Sequence, residues 1–229
     1  TETSPVLTAN RPNDWKLGTV GKPMSNVQIR IAGDGEILAR GESVFKGYYN
    51  NEEATHEALD SAGWFHTGDL GEFDEDGFLK ITGRKKDLLV LSGGKKVAPT
   101  EVESLVKTDP YILECVVCGD RRNYLTALIV PDLEQLGAWA KEQGISWFER
   151  EELAEDPKVH EFIERRIKER CKDLARYQQI KKFVLLNKEF SQGDGELTPT
   201  LKVRRNFVYK KYAAEIERNA KAARPRLAA

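Results

Sequence analysis

Three stretches of this sequence carry side chains suited to holding a polyanion or a sugar. The first, Gly83 to Glu103, packs Arg84, Lys85 and Lys86, a short apolar strand and the turn Gly93-Gly94 into one run. The second is a glycine-marked loop that starts at Phe190 and passes Thr198-Pro199 before ending in Lys202, Arg204 and Arg205. Arginine supplies a planar fork for phosphate and lysine a mobile point charge. The third, Thr67-Gly68-Asp69 at a strand end, can present a carboxylate to a vicinal diol. Cations for phosphate and an acid for a diol together describe a nucleotide site. On the residues alone, an α/β surface with solvated charges accounts for the same side chains, and both readings stand at this point. The sequence holds neither a phosphate loop ending in Lys-Ser/Thr nor a dinucleotide fingerprint.

The elements that must position these groups follow from turn and periodicity signals. Thr1 to Asn26, punctuated by Pro5, Pro12, Gly18, Gly21 and Pro23, reads as loop. Val27 to Ile31 and Gly35 to Leu38 form a hairpin around Ala32-Gly33-Asp34-Gly35. Gly41 to Asn50 is rich in glycine and aromatics, as a sheet edge beside a ligand or a packed edge would be. Asn51 to Leu59 is a short polar helix. A second hairpin spans Glu72 to Gly83, turning over Asp74-Glu75-Asp76-Gly77, whose acids read as solvated, and the lone His66 reads as structural.

Beyond Lys86 the composition changes to compact helices and strands. Thr100 with Glu103 reads as a capping box opening a helix that Asp109-Pro110 stops. Tyr111 to Cys118 and Tyr124 to Val130 are strands, and Asp132 caps a helix reaching Gln143. From Pro157, Val159, Phe162, Ile163, Ile167, Cys171 and Leu174 make one apolar stripe. Lys182 to Leu186 is a strand, Asn206 to Asn219 a final helix, and the last residues read as frayed.

At 229 residues, with 40% apolar and 32% charged side chains, the chain has the balance of a soluble globular protein of one or two domains. A formal charge of -1 gives no global pull toward nucleic acid. Cys115 and Cys118 form a C-x-x-C inside an apolar run, where a spacing of three puts them on opposite faces of a strand, as core residues rather than a redox pair. Such cysteine usage fits the cytoplasm.

Five stretches in order resemble those of adenylate-forming acyl-CoA synthetases, most like the long-chain fatty-acid–CoA ligases. Thr1-Glu2 resembles the end of a Tyr-Gly-x-Thr-Glu motif. Gly35-Glu36-Ile37 with Gly41 and Gly47-Tyr48-Tyr49 resembles Gly-Glu-Leu…Gly-Tyr, and Trp64-Phe65-His66-Thr67-Gly68-Asp69 the Thr-Gly-Asp motif. Gly83-Arg84-Lys85-Lys86-Asp87 through Gly93-Gly94 and Pro99 to Glu103 resembles the hinge motif, and Leu197 to Arg205 the C-terminal lysine motif. The resemblance implies an α+β chain: residues 1–85 as the strand-rich end of the large N-terminal AMP-binding domain, and 86–229 as the small mobile C-terminal domain.

It further implies a two-step reaction in which ATP activates a fatty acid as acyl-AMP with release of pyrophosphate, and coenzyme A then takes the acyl group. By matching position, Thr1 would lie at the α-phosphate and Glu2 at magnesium. Asp69 would hold the ribose hydroxyls and Arg84 the ribose or phosphate. Lys86 would be the hinge, Gly93 or Gly94 would line the pantetheine route, and Lys202 would serve adenylation. Lys86 stands where many relatives carry aspartate, and Leu201 replaces the glycine often found before the catalytic lysine; long-chain members tolerate the latter. In this family the loop for the β- and γ-phosphates and the acyl tunnel belong upstream, so this piece alone is expected to be inactive and to work with an upstream part of the same enzyme. A medium-chain or aryl carboxylate–CoA ligase and a noncatalytic binding module are the alternatives. Peripheral membrane contact stays open for a protein handling fatty acids, and acyl chain length and oligomeric state are not legible.

Overall fold

The computed structural model describes residues 1–221; the frayed end expected for the last residues lies outside them. The chain divides into two units, Thr1–Leu88 and Leu89–Ala229.

In the first unit a two-residue pair, β1 (Thr8–Ala9) and β2 (Lys22–Pro23), precedes a four-stranded antiparallel sheet in simple up-and-down order. Its strands are β3 (Val27–Ile31), β4 (Glu36–Gly41), β5 (Phe65–Phe73) and β6 (Leu79–Arg84). Gly35, at φ +88°, makes the β3–β4 turn possible without the steric penalty a side chain would carry. Between β4 and β5 lies α1 (Glu52–Ala58), capped by the Asn51 side chain on the Ala54 amide. β5 extends further than the sequence pattern implies, because the strand runs through Thr67-Gly68-Asp69, with His66 and Leu70 paired to β4 and Asp69 to β6. A 3-10 turn, Lys85–Asp87, closes the unit.

The second unit opens with a small hairpin, β7 (Leu89–Val90) and β8 (Lys96–Val97), followed by α2 (Pro99–Val106). The capping box expected of Thr100 and Glu103 does not form. The cap is Ala98 with Pro99 at the first helical position, and no side chain caps the helix. Glu103 lies on the same stripe as Val106 and is turned into the core. Three strands follow in the order β11 (Ile180–Leu185), β10 (Leu125–Pro131), β9 (Ile112–Cys118). β9 and β10 are antiparallel, while β10 and β11 are parallel and therefore need a long crossover. That crossover is α3 (Leu133–Glu142), α4 (Arg150–Glu155) and α5 (Pro157–Arg170). The short α4 has no strong apolar period and was not expected. The single final helix is in fact two, α6 (Arg205–Lys211) and α7 (Ala213–Lys221).

β10 is buried along its whole length because helices cover both faces of this sheet. One face, with Cys115, Val117, Ala127 and Ile129, packs on Val102, Val106, Leu136, Val159 and Ile163. The other, with Val116, Cys118, Leu128 and Val130, packs on Val208, Tyr212 and Ile216. Cys115 and Cys118 thus lie in separate cores on opposite faces, with burial pushing the Cys118 thiol up to about 12. Neither sulfur has the exposed, electropositive setting of a reactive thiolate.

Candidate functional site

The first unit builds its site at the middle of β5. Both ladders of this strand shift register here, between Glu36 and Leu38 on one side and between Leu70 and Gly71 on the other. Thr67 locks the irregularity: its Oγ1 donates to the Ile37 carbonyl at 2.7 Å and accepts from the Asp69 amide at 3.1 Å. Gly68 sits at φ +72°, and a Cβ built there would meet open space. Its amide donates to Glu36 Oε1 at 3.1 Å. Asp69 is cross-strand to Arg84, whose Nε donates to Asp69 Oδ1 at 2.7 Å. Oδ2 makes no hydrogen bond among the described residues. The arrangement leaves one fixed carboxylate oxygen beside an open glycine face and a guanidinium with free N–H groups, a donor–acceptor set that fits a sugar diol next to a phosphate.

Glu2 is held elsewhere in this unit. Its carbonyl accepts from the Phe45 amide at 2.8 Å, and Tyr48 Oη donates to Glu2 Oε1 at 3.2 Å. Phe45 in turn packs edge-on against Tyr48 and Phe65, which ties this corner to the start of β5. Thr1, beside it, is exposed. No group of three His, Cys, Asp or Glu side chains that could hold a metal ion occurs among the described residues. A lone carboxylate fits magnesium in one way, with phosphate oxygens and water completing its shell.

One carboxylate in this unit stands in a motif quoted above, but the motif gave it no role. Glu36, 3% exposed, takes the Gly68 amide on Oε1, while Oε2 lies 2.8 Å from Lys85 Nζ and 3.0 Å from His66 Nδ1. Burial pushes its carboxyl up, but Lys85, His66 and the Gly68 amide outweigh that and hold it below the usual value. Lys85 also meets Asp34 at 2.7 Å. His66 therefore has the structural role expected of it. Lys86, the next residue, is exposed and makes no hydrogen bond or ion pair among the described residues.

In the second unit, Gly93 and Gly94 make the β7–β8 turn, with Gly94 at φ +76° and its amide donating to the Leu91 carbonyl. A Cβ at either position would meet nothing, so a thin chain can pass close to this backbone. An open depression of about 540 Å³ lies alongside, lined by Val90, Leu91, Ser92, Gly94, Asp120 and Arg121.

Lys202 stands in a tight turn that pairs Leu197 with Val203. The Thr198 amide donates to the Lys202 carbonyl at 2.8 Å, and the Lys202 amide to Thr198 Oγ1 at 3.0 Å. Leu201 occupies the left-handed region at φ +59°. The Lys202 side chain is exposed and unpaired among the described residues. Two buried carboxylates grip the base of this turn. Glu196, 0% exposed, accepts from the Ser191 amide, Lys211 Nζ and Tyr212 Oη; burial raises its carboxyl, and these donors bring it below the usual value. Glu103 receives Arg205 as a two-bond fork of 2.6 and 2.8 Å, together with the Val117 amide at 2.7 Å. Arg205 is therefore spent inside the fold. Arg204 is exposed and donates to the Gly195 carbonyl at 3.2 Å, so among the described residues Lys202 is the one of the three cations whose side chain has no hydrogen-bond or ion-pair partner. Sequence reasoning gave Glu196 no role and read Glu103 as a helix cap, although its place on the apolar stripe of α2 is a visible signal of burial.

Against known proteins, the AMP-binding enzyme C-terminal domain family matches residues 86–223, more than half of the chain. The long-chain-fatty-acid–CoA ligase FadD15 of Mycobacterium bovis is 45% identical over 220 residues, which cover 94% of this chain and 36% of that protein. The chain thus spans about a third of the length of the curated relatives it matches. Among solved structures, the O-succinylbenzoate coenzyme A synthetase of Bacillus subtilis in complex with AMP is 29% identical with a TM-score of 0.63, covering 90% of this chain and 38% of that one. The adenylation domain of a carboxylate reductase from Mycobacterium chelonae, at 23% identity and a TM-score of 0.69, covers 90% of this chain and 32% of that one and shares its fold. A match over more than half its length makes this chain a member of the AMP-binding enzyme C-terminal domain family.

Proposed function

We propose that this chain works within a longer ligase that joins a long-chain fatty acid to coenzyme A through an acyl-AMP intermediate. The observation that carries the reading is 45% identity, over 94% of the chain, with a protein named for that activity. Residues 1–85 would be the end of the AMP-binding domain and 86–229 the small domain. Asp69 accepts from the ribose hydroxyls through Oδ2, and Arg84 keeps it in place while offering N–H groups to ribose or phosphate. Thr1 and Glu2 stand at the α-phosphate and at magnesium, whose chemistry would be to spread phosphate charge. Lys202 brings one ammonium to the α-phosphate as negative charge builds there. Gly93 and Gly94 give the pantetheine arm a path without side chains. Lys86, whose side chain has no partner among the described residues, is the pivot between the two steps. A cytoplasmic location, with peripheral contact at a membrane, belongs to the same proposal.

The test is acyl-CoA formation by the full-length enzyme from ATP and coenzyme A, comparing palmitate, octanoate and benzoate. Palmitate should give the highest kcat/KM, and the 229-residue chain alone should give no pyrophosphate exchange. A preference for octanoate or benzoate would move the assignment to a medium-chain or aryl ligase, and no turnover with any acid would leave a binding module.

A further inference from the structure

The pivot Lys86 has an unusual neighbour. Lys85, one residue before it, is paired with Glu36, the carboxylate that also takes the Gly68 amide next to the candidate ribose carboxylate Asp69. Its ammonium lies 2.7 Å from Asp34 and 2.8 Å from Glu36, both on the β3–β4 hairpin, whereas the Lys86 side chain beside it has no partner among the described residues. A backbone that must rotate at one residue needs its preceding residue fixed, or the rotation is shared along a floppy segment and its end point is ill defined. Glu36 is built for more than that. Its two oxygens divide the work: Oε1 takes the Gly68 amide, inside the bulge that presents Asp69, and Oε2 takes Lys85 and, at 3.0 Å, His66 Nδ1. At 3% exposure, a carboxylate is kept only with such partners. The hairpin holds it in turn, since the Glu36 amide donates to Asp34 Oδ1 at 3.2 Å and the Gly71 amide to the Gly35 carbonyl at 3.0 Å.

We propose that Glu36 is a positioning residue that serves both half-reactions, fixing the Asp69 bulge through Oε1 and, with Asp34, clamping Lys85 as the fixed side of the Lys86 pivot through Oε2. This rests on the reading of Lys86 as a hinge. The two oxygens make the roles separable by substitution. In Glu36→Gln the amide oxygen still accepts from Gly68, but the charge that holds Lys85 is gone. In Glu36→Ala both contacts are lost. Lys85→Met removes the clamp alone, and Lys85→Arg keeps it.

The experiment measures two rates in the full-length ligase carrying each substitution. These are acyl-AMP formation, with KM for ATP, and thioester formation from supplied acyl-AMP and coenzyme A. Glu36→Gln and Lys85→Met should each slow thioester formation about tenfold while KM for ATP stays within about twofold, and Lys85→Arg should restore the rate. The double variant should be no slower than Lys85→Met alone, because Lys85→Met already breaks the Lys85–Glu36 contact along with that to Asp34. Glu36→Ala should in addition raise KM for ATP about tenfold. An unchanged KM for ATP in Glu36→Gln also certifies that the variant is folded. Equal loss in both steps for Glu36→Gln and Lys85→Met, tracking a fall in melting temperature, would reduce the network to a structural one and overturn the proposal. Lys86→Pro separates the two ideas. If it slows thioester formation selectively while Lys85→Met does not, the clamp fails and the hinge stands; if neither does, both fail.

Discussion

Two turns present the candidate reactive groups, and they are built alike but finished differently. In the first unit, the β5 bulge is anchored by buried Glu36 and presents Asp69; in the second, the 197–203 turn is anchored by buried Glu196 and Glu103 and presents Lys202. Asp69 is itself paired, through Arg84, whereas Lys202 has no partner among the described residues. The difference follows from what each would meet. A neutral diol asks for a carboxylate of fixed position, and a standing ion pair supplies the fixing while leaving one oxygen free. Charge that appears only in a transition state asks for a cation that is not already neutralised, since a salt bridge would have to be broken to use it.

The comparison breaks most visibly at the unpaired end. Lys202→Ala in the full-length enzyme should lower acyl-AMP formation about a hundredfold, or roughly 3 kcal/mol of transition-state stabilisation. Thioester formation from supplied acyl-AMP should stay within a few-fold. Comparable losses in both steps would mean that the residue maintains the turn and does no chemistry.

The anchors come next. Glu196→Gln removes a charge from a fully buried site that Lys211 and Tyr212 address, and should cost about 2 kcal/mol, discounted because Lys211 reaches solvent. Its pH dependence has a definite sign. The folded-state carboxyl lies below its usual 4.5, so its contribution is complete above about that pH and is lost as pH falls through the folded value. Urea unfolding read by hydrogen exchange in the second unit should show wild type and Glu196→Gln converging below about pH 4.5. A gap that widens on acidification would reverse the assignment. Glu36 in the first unit and Asp109 in the second, buried against Arg166 and Arg170, are shifted in the same direction and should steepen the same acid limb.

At the paired end, Asp69→Asn keeps the shape of the acceptor but weakens it and releases Arg84. KM for ATP should rise about tenfold with kcat in adenylation changed less. A fall in kcat alone would place Asp69 nearer to the reacting phosphate than to the sugar.

The presented groups were legible in the sequence because short polar motifs carry them; the anchoring roles of Glu36 and Glu103 were not, although both stand in quoted motifs, because each joins residues distant along the chain. Asp69 and Lys202 sit among glycines and threonines whose turn signals survive out of context. Glu103 meets Arg205 and Glu36 meets Lys85 only after the sheets form, and local pattern has no access to such pairs. Strands were read well where apolar runs were flanked by turn residues, as in β9 and β10, and less well where motif and strand coincide, as in β5. The capping box failed for a similar reason. Thr100 and Glu103 have the right spacing, but a half-buried arginine outcompetes a helix-end amide for the same carboxylate.

The finest distinction between the two turns lies in one backbone angle. Each uses the left-handed region next to its presented residue, but Gly68 supplies it at φ +72° and Leu201 at φ +59°. Glycine adopts that region freely, while a leucine there carries a strain of about 1 kcal/mol. Gly68→Ala should therefore cost the first unit roughly 1 kcal/mol, for backbone reasons alone, since its Cβ would meet open space. Leu201→Gly should run the other way but more weakly. The strain is relieved, little burial is lost from a side chain 67% exposed, and the added freedom of the unfolded chain returns part of the gain. The expected change is a stabilisation below about 1 kcal/mol, measured by hydrogen exchange of the 197–205 amides. Adenylation should nevertheless fall about threefold, because a stiff leucine turn samples fewer positions for the Lys202 ammonium than a glycine turn does. Leu201→Ala retains the Cβ and with it the stiffness, so its rate should match wild type. A Leu201→Gly variant that loses more than about 1 kcal/mol would show that the leucine side chain itself holds the turn, and the likeness between the two turns would then stop at their buried carboxylates.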